Sequence, residues 1–200
     1  MLHVQLITRN LYIAGLMSLG SVPLFAKPVT VNILTEESAV EFNAVDTRKI
    51  LSFKGIGKGV VGKFKITDAK TIEGSASFPL KILDTDINTR NEHMLKLLDV
   101  TTHPDAKFVP TSLPWADPSQ ILEKAVDKAP FEGKMTIRGV EKPVQGTVDT
   151  VLDKAGKVIY TFAFNVLLSD FGMEAPSFLG VKVDNTIGVI VKVPSKVEVL

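Results

Sequence analysis

The chain has 200 residues, 45% of them apolar, which suits one domain with a sizeable core. Its 23 basic and 22 acidic side chains nearly cancel, which argues against nucleic acid as a partner and supplies no general attraction to an anionic membrane surface. The absence of cysteine excludes disulfides, thiolate catalysis, Cys-ligated metal and lipid attachment through cysteine.

Residues 1–26 differ from the rest. Arg9 is their one strong charge, and an apolar run from Leu11 to Val22 ends in Pro23-Leu24-Phe25-Ala26. A dozen apolar residues fall short of the roughly 20 that span a bilayer and fit the apolar region of a secretory signal. The expectation is a signal peptide over 1–26 cleaved after Ala26 and an exported domain over 27–200. An uncleaved anchor is the alternative. Removing the segment leaves 22 basic and 22 acidic residues.

Beyond it the chain alternates with the period of two expected of half-buried strands. A strand is expected near Val31. Val40, Phe42 and Ala44 then share a face, as do Gly62, Phe64 and Ile66. From Ile72 the pattern predicts a strand of eleven residues, with Ile72, Gly74, Ala76, Phe78, Leu80 and Ile82 inward. Thr89-Arg90-Asn91-Glu92 has the form of a capping box, and Met94, Leu97 and Leu98 continue it as a short helix. After a strand near Phe108 and a proline-rich loop with Trp115, Gln120 to Lys128 reads as a second helix or a surface connection. Phe131 to Gly139, Val144 to Thr150, Val158 to Leu168 and Ile187 to Val193 alternate again. About eight or nine antiparallel strands joined by short turns make an all-β sandwich or barrel, with the closed barrel preferred because it leaves no exposed edge.

Three kinds of chemistry are weighed and set aside. Gly57 to Lys63 fits most of a phosphate-binding loop, but Phe64 stands where the hydroxyl belongs and the sequence continues as a strand, so a glycine-rich hairpin is expected. His93 and His103 match no zinc spacing, and no nucleophile elbow occurs. No catalytic residue, metal or cofactor is expected.

Three motifs carry a resemblance. Asp86-Ile87-Asn88-Thr89-Arg90-Asn91-Glu92-His93-Met94 leads to Leu98-Asp99-Val100 and to His103-Pro104 with Phe108; Gly133 to Val144 reads Gly-Lys-Met-Thr-Ile-Arg-Gly-Val-Glu-Lys-Pro-Val; and Ser169-Asp170-Phe171-Gly172 follows. In this order they resemble the signature of the YceI-like family. Departures are Glu37-Ser38 where the family often has His-Ser, Asn91 for Asp, Met94 for Leu, and a longer segment from Ser112 to Ala129. The resemblance implies an eight-stranded antiparallel, lipocalin-like barrel with one or two short helices. It would hold a polyisoprenoid, isoprenoid quinone or fatty-acyl amphiphile in its lumen. The resemblance also implies a periplasmic location for the exported domain.

Phe42, Phe64, Phe78, Leu80, Phe131, Met135, Tyr160, Phe162 and Phe164 are the residues expected to line that lumen. Arg90 and His93 are the candidates for a polar head group, where Arg suits a phosphate, although they equally suit a structural bridge to a neighbouring strand. Met94 and Trp115 are assigned to a lid. The expected role is sequestration or transport of the lipid, without stable membrane insertion and with a homodimer left open. The alternatives are an isomerase or cyclase using the same pocket and an exported structural domain with a solid core.

Overall fold

The computed structural model describes residues 27–200 except 69, 70, 116, 154, 155 and 179; the expected signal peptide lies outside the described residues. Its elements are β1 (Val29–Ile33), β2 (Ala39–Val45), β3 (Ser52–Lys58), β4 (Val61–Ile66), β5 (Ile72–Pro79), α1 (Asn88–Leu97), β6 (Asp105–Ser112), β7 (Ala129–Ile137), β8 (Val140–Leu152), β9 (Lys157–Leu167), β10 (Ser177–Phe178), β11 (Val181–Lys182) and β12 (Thr186–Val199). Short 3₁₀ turns separate several of them.

Eight strands close into an antiparallel barrel in the order β1, β4, β5, β6, β7, β8, β9, β12, with β12 returning to β1. The fold is that of a lipocalin-like barrel. Closure rests on β12, whose 14 residues are long enough to serve two partners on one side. Gly188 to Lys192 pair with β2 and Ser195 to Val199 with β1, while β9 follows the other side from Leu167 to Lys157. β1 and β2 are therefore one long wall strand broken at residues 34–38. β3 and β4 are its neighbour, broken at Gly59-Val60.

The two breaks are tied together by Ser38. Its fully buried hydroxyl donates to the Thr35 carbonyl at 2.6 Å and accepts the Val60 amide at 2.8 Å. The expected glycine-rich hairpin over residues 57–63 is therefore not formed. Gly59, at φ +102, kinks a continuous wall strand whose halves pair with different neighbours.

The eleven-residue strand also ends early. Pro79 has no amide for the ladder, and Leu80–Ile82 turn into a 3₁₀ helix. A three-residue period brings Leu80 and Leu83 to the same side, so both are buried while Ile82 points out. At the other end Gly74 is exposed rather than inward. The helix α1 forms as expected, but its N-cap is Ile87 and no side chain caps it. Asn91 acts elsewhere: it accepts from the Thr85 amide and hydroxyl and donates to Asp84 at 2.8 Å, fastening the helix to the strand exit. That hydrogen bond, with one from the Asp86 amide, holds the Asp84 carboxyl below its usual pKa. The expected second helix shrinks to a 3₁₀ turn at Pro118–Leu122, capped by Asp117. The β10–β11 hairpin has no counterpart in the sequence-based expectations.

Between β7 and β8 the turn Arg138-Gly139 has φ of 52° and 74°, the left-handed pair required at both centres of a tight hairpin. A side chain at Gly139 would also meet His103, whose ring stands 2.8 Å from the position of an added Cβ. The loop from β2 to β3 is held by Asp46, a fully buried carboxylate. It accepts the Ile50 and Leu51 amides at 2.6 and 2.8 Å and the Arg48 guanidinium at 3.0 Å. The Leu51 amide, outweighing the opposing effect of burial, and the Arg48 guanidinium bring its pKa down to about 2.

Two outcomes follow from these anchors. Ser38→Ala leaves the Val60 amide buried without an acceptor and should lower stability by about 1–3 kcal/mol in urea unfolding, with an unchanged m-value. Asp46 has a lower pKa folded than unfolded, so its contribution is complete above the unfolded value near 4 and is lost as pH falls toward the folded value. Thermal melts of Asp46→Asn and the parent chain should differ most above about pH 5 and converge as pH falls toward about 2. A difference that persists undiminished at low pH contradicts this role.

Candidate functional site

Aromatic and branched side chains on the inward faces do not fill the barrel. They enclose a cavity of about 980 Å³. Left dry, such a void would cost on the order of 20 kcal/mol at roughly 24 cal/mol per Å³. That exceeds the whole net stability of a typical domain, about 5–15 kcal/mol. Nor does the lining, which is almost wholly hydrocarbon, give water the two or more polar partners that hold it in place. The lumen therefore favours an apolar guest.

All eleven side chains singled out from the sequence border this cavity. Phe42 enters from β2, Phe64 from β4, Phe78 from β5 and Leu80 from the 3₁₀ turn beyond it. Phe131 and Met135 come from β7, and Tyr160, Phe162 and Phe164 from β9. Arg90 and His93 reach it from α1. Part of the aromatic set packs on itself: Phe131 meets Phe162 edge-on at 5.0 Å and Phe164 at 6.0 Å. These rings cover the β7–β9 wall, and the inward Val144 and Val148 of β8 belong to the buried core.

The cavity has a floor and a mouth. Trp115 is buried at the end where β6 finishes and β9 begins, edge-on to Tyr160 at 6.0 Å. Its loop is pinned to β8, with the Val126 amide donating to Thr150 Oγ1 at 2.9 Å and the Lys128 amide to Asp149 at 2.7 Å. Met94 borders the cavity at the opposite end, on the helix between β5 and β6. The expected joint lid of Met94 and Trp115 is thus not formed, because antiparallel β6 separates them by its full length. Tyr160 lies deep near the floor. Burial pushes its phenol upward in pKa, so the group stays neutral.

At the α1 end the exposed Leu51, Ile87, Thr89 and His93 line the cavity too, so it opens to the surface there. Arg90 places its guanidinium over the Phe53 ring at 5.2 Å, bridging α1 to β3 across the mouth. Its structural and ligand-facing roles are thereby compatible: one face rests on Phe53 while the side chain borders the lumen.

Several lining residues escaped the sequence reading, chiefly Phe53 of β3 and Val181 and Val183 of the β10–β11 region. β3 hides its orientation because its inward residues include Gly55 and Gly57 and its outward ones include Ile56, 49% exposed. An added Cβ at Gly55 would sit 2.2 Å from Phe42 Cε1, so glycine is needed to let that ring lie against the wall. The two-residue strands of the hairpin are too short to show any period. Ile187, Val189, Val191 and Val193 of β12, read as an inward face, do line the cavity.

Among the described residues no group of three or more His, Asp and Glu is placed to hold a metal ion. Nor is any described helix long and apolar enough to cross a membrane.

Comparison with known proteins agrees with this architecture. The chain is similar over 84% of its length to a polyisoprenoid binding domain from Saccharophagus degradans, covering 98% of that chain at 14% identity with a TM-score of 0.65. It is similar to BcnA of Burkholderia cenocepacia at 17% identity, covering 84% of this chain and 99% of that one, with a TM-score of 0.63. It also resembles a YceI protein of Campylobacter jejuni at 20% identity, covering 74% and 86% of the two chains, with a TM-score of 0.52. Identities this low establish a common fold. No curated protein matches the sequence significantly. The family model of the YceI-like domain matches residues 32–195, from β1 to the first β12 residue that pairs with β1. The chain belongs to the YceI-like family.

Proposed function

We propose that this protein is an exported periplasmic carrier that sequesters or transports a polyisoprenoid, an isoprenoid quinone or a fatty-acyl amphiphile in its lumen, without breaking a bond in it. The single observation that carries the reading is the apolar cavity of about 980 Å³, at the upper end of the roughly 300–1,000 Å³ typical of ligand sites. Burying several hundred Å² of hydrocarbon at about 25 cal/mol per Å² is worth on the order of 10 kcal/mol before association costs. The described similarity of fold to a polyisoprenoid binding domain supports the same class of guest. So does the solubility problem that such a tail meets in water.

In this reading the nine apolar residues Phe42, Phe64, Phe78, Leu80, Phe131, Met135, Tyr160, Phe162 and Phe164 hold the tail. Arg90 and His93, at the mouth, meet the polar end. The tail points inward because the floor offers hydrocarbon and the neutral Tyr160, whereas the mouth offers charge and water. The leader over residues 1–26 delivers the barrel to the compartment where such a carrier is needed.

Native mass spectrometry of the gently purified protein should show a co-purifying lipid released intact. Val189→Trp projects a larger ring into the lumen and should weaken binding of a long-chain prenol at least tenfold, equal to about 1.4 kcal/mol. Circular dichroism should show the barrel still folded. Undiminished binding by the filled barrel sinks the lumen as the site, and a chemically altered lipid points to an enzyme. Arg90→Gln should weaken a prenyl phosphate about three- to tenfold, as expected for a half-exposed charge-assisted hydrogen bond. The corresponding prenol should bind as before.

A further inference from the structure

The rim of the mouth is apolar, and its loop tip basic, where a soluble barrel would ordinarily be polar. Ile50 is 71% exposed, Leu51 50% and Ile87 45%. Two of these, Leu51 and Ile87, also line the cavity, so apolar surface runs without interruption from the outer tip of the loop into the lumen. The contact of Arg90 on α1 with Phe53 on β3 brings the start of the helix beside the loop that ends at Leu51, and so gathers the three residues on one side of the opening.

The loop is also preorganised. Both Ile50 and Leu51 have their amides fixed on the buried Asp46 carboxylate, and the Thr47 amide donates to the Lys182 carbonyl at 2.9 Å. Ile50 is thus held outward by a rigid turn and does not fold back into the core. Arg48 and Lys49 precede it, Lys182 stands on the adjoining hairpin, and Arg90 is across the patch. Acidic groups at this end include Asp84, Asp86 and Glu92 beside α1, and Asp170, Glu174 and Asp184 beside the hairpin; the loop itself carries only Asp46, buried beneath Arg48. Overall neutrality conceals this separation. At the loop tip Arg48 and Lys49 adjoin the exposed Ile50, while the acids lie beside the helix and at the foot of the hairpin.

We propose that the β2–β3 loop docks the barrel, mouth first, on the surface of an anionic phospholipid bilayer. Ile50 enters the acyl boundary, and Arg48, Lys49 and Lys182 meet the phosphates. This is the pairing of an apolar tip with basic flanks that holds peripheral proteins at an interface. Bound in this way, a tail passes between bilayer and lumen along Leu51 and Ile87 without crossing water. The purpose of docking rests on the carrier function, but docking itself does not.

Residues 27–200 contain every strand of the closed barrel and are the form to test. In flotation assays they should bind vesicles of phosphatidylglycerol and phosphatidylethanolamine, bind pure phosphatidylcholine at least fivefold less, and release at high salt. Ile50→Asp should abolish vesicle binding and Lys49→Glu should weaken it at least fivefold. Both variants should bind geranylgeraniol, delivered without vesicles, within twofold of the parent. Equal flotation of Ile50→Asp and the parent overturns docking. So does sedimentation showing that Ile50→Asp instead dissolves a dimer, which would make the patch a contact between copies. Failure of the parent to bind geranylgeraniol, with vesicle binding intact, would remove the carrier reading and leave docking standing.

Discussion

A sheet closed on itself must either fill its bore or accept a guest, and in this protein closure is decided by one strand. β12 spans both halves of the broken β1–β2 wall and joins them to β9. Without that pairing β1, β2 and β9 would be free edges, and the inward aromatic faces would meet water. With it the ring closes through β1, while among the described residues the outer side of β3 is bridged at Ile56 to Asp84, and the side chains determine how much space remains.

The rings of β6, β7 and β9 pack on one another at Phe108, Phe131, Phe162 and Phe164, whereas Phe42, Phe53, Phe64 and Phe78 line the facing strands β2 to β5 and β12 adds the branched Ile187, Val189, Val191 and Val193. The ends are made differently. A proline-bearing loop carrying Trp115 is tied to β8 by amides that donate to the Thr150 and Asp149 side chains, and it closes the end behind Tyr160. The opposite end is built from a short uncapped helix, a loop fixed by one carboxylate, and a hairpin of two-residue strands. Fewer strand pairings hold this end, which is where the lumen opens. A closed wall with a lightly built mouth leaves the lumen open at one end.

Legibility in the sequence followed the physics of each element. Long strands with apolar inward faces, such as β7, β9 and β12, declared themselves through period-two alternation. Their inward residues Phe131, Tyr160 and Val191 border the cavity or its packed wall as read. β3 did not, since its inward glycines make room for Phe42 and its apolar Ile56 faces out. The strand from Ile72 was read too long because proline and a 3₁₀ turn keep Leu80 inward on a different period. The capping box at Thr89 was a local pattern overruled by Asn91, whose partners Asp84 and Thr85 are fixed by the strand exit rather than by the helix.

The sequence by itself determined the class of the fold, the identity of the inward faces and, through three ordered motifs, the family; each depends on local periodicity or on turns whose residues are neighbours in the chain. Tertiary structure alone decided that the inward faces leave about 980 Å³ unfilled. It also decided that Trp115 and Met94 stand at opposite ends, and that Ile50, Leu51 and Ile87 share one rim. Those are matters of volume and of contact between segments distant in sequence, which a closed ring of strands fixes only when every register is set.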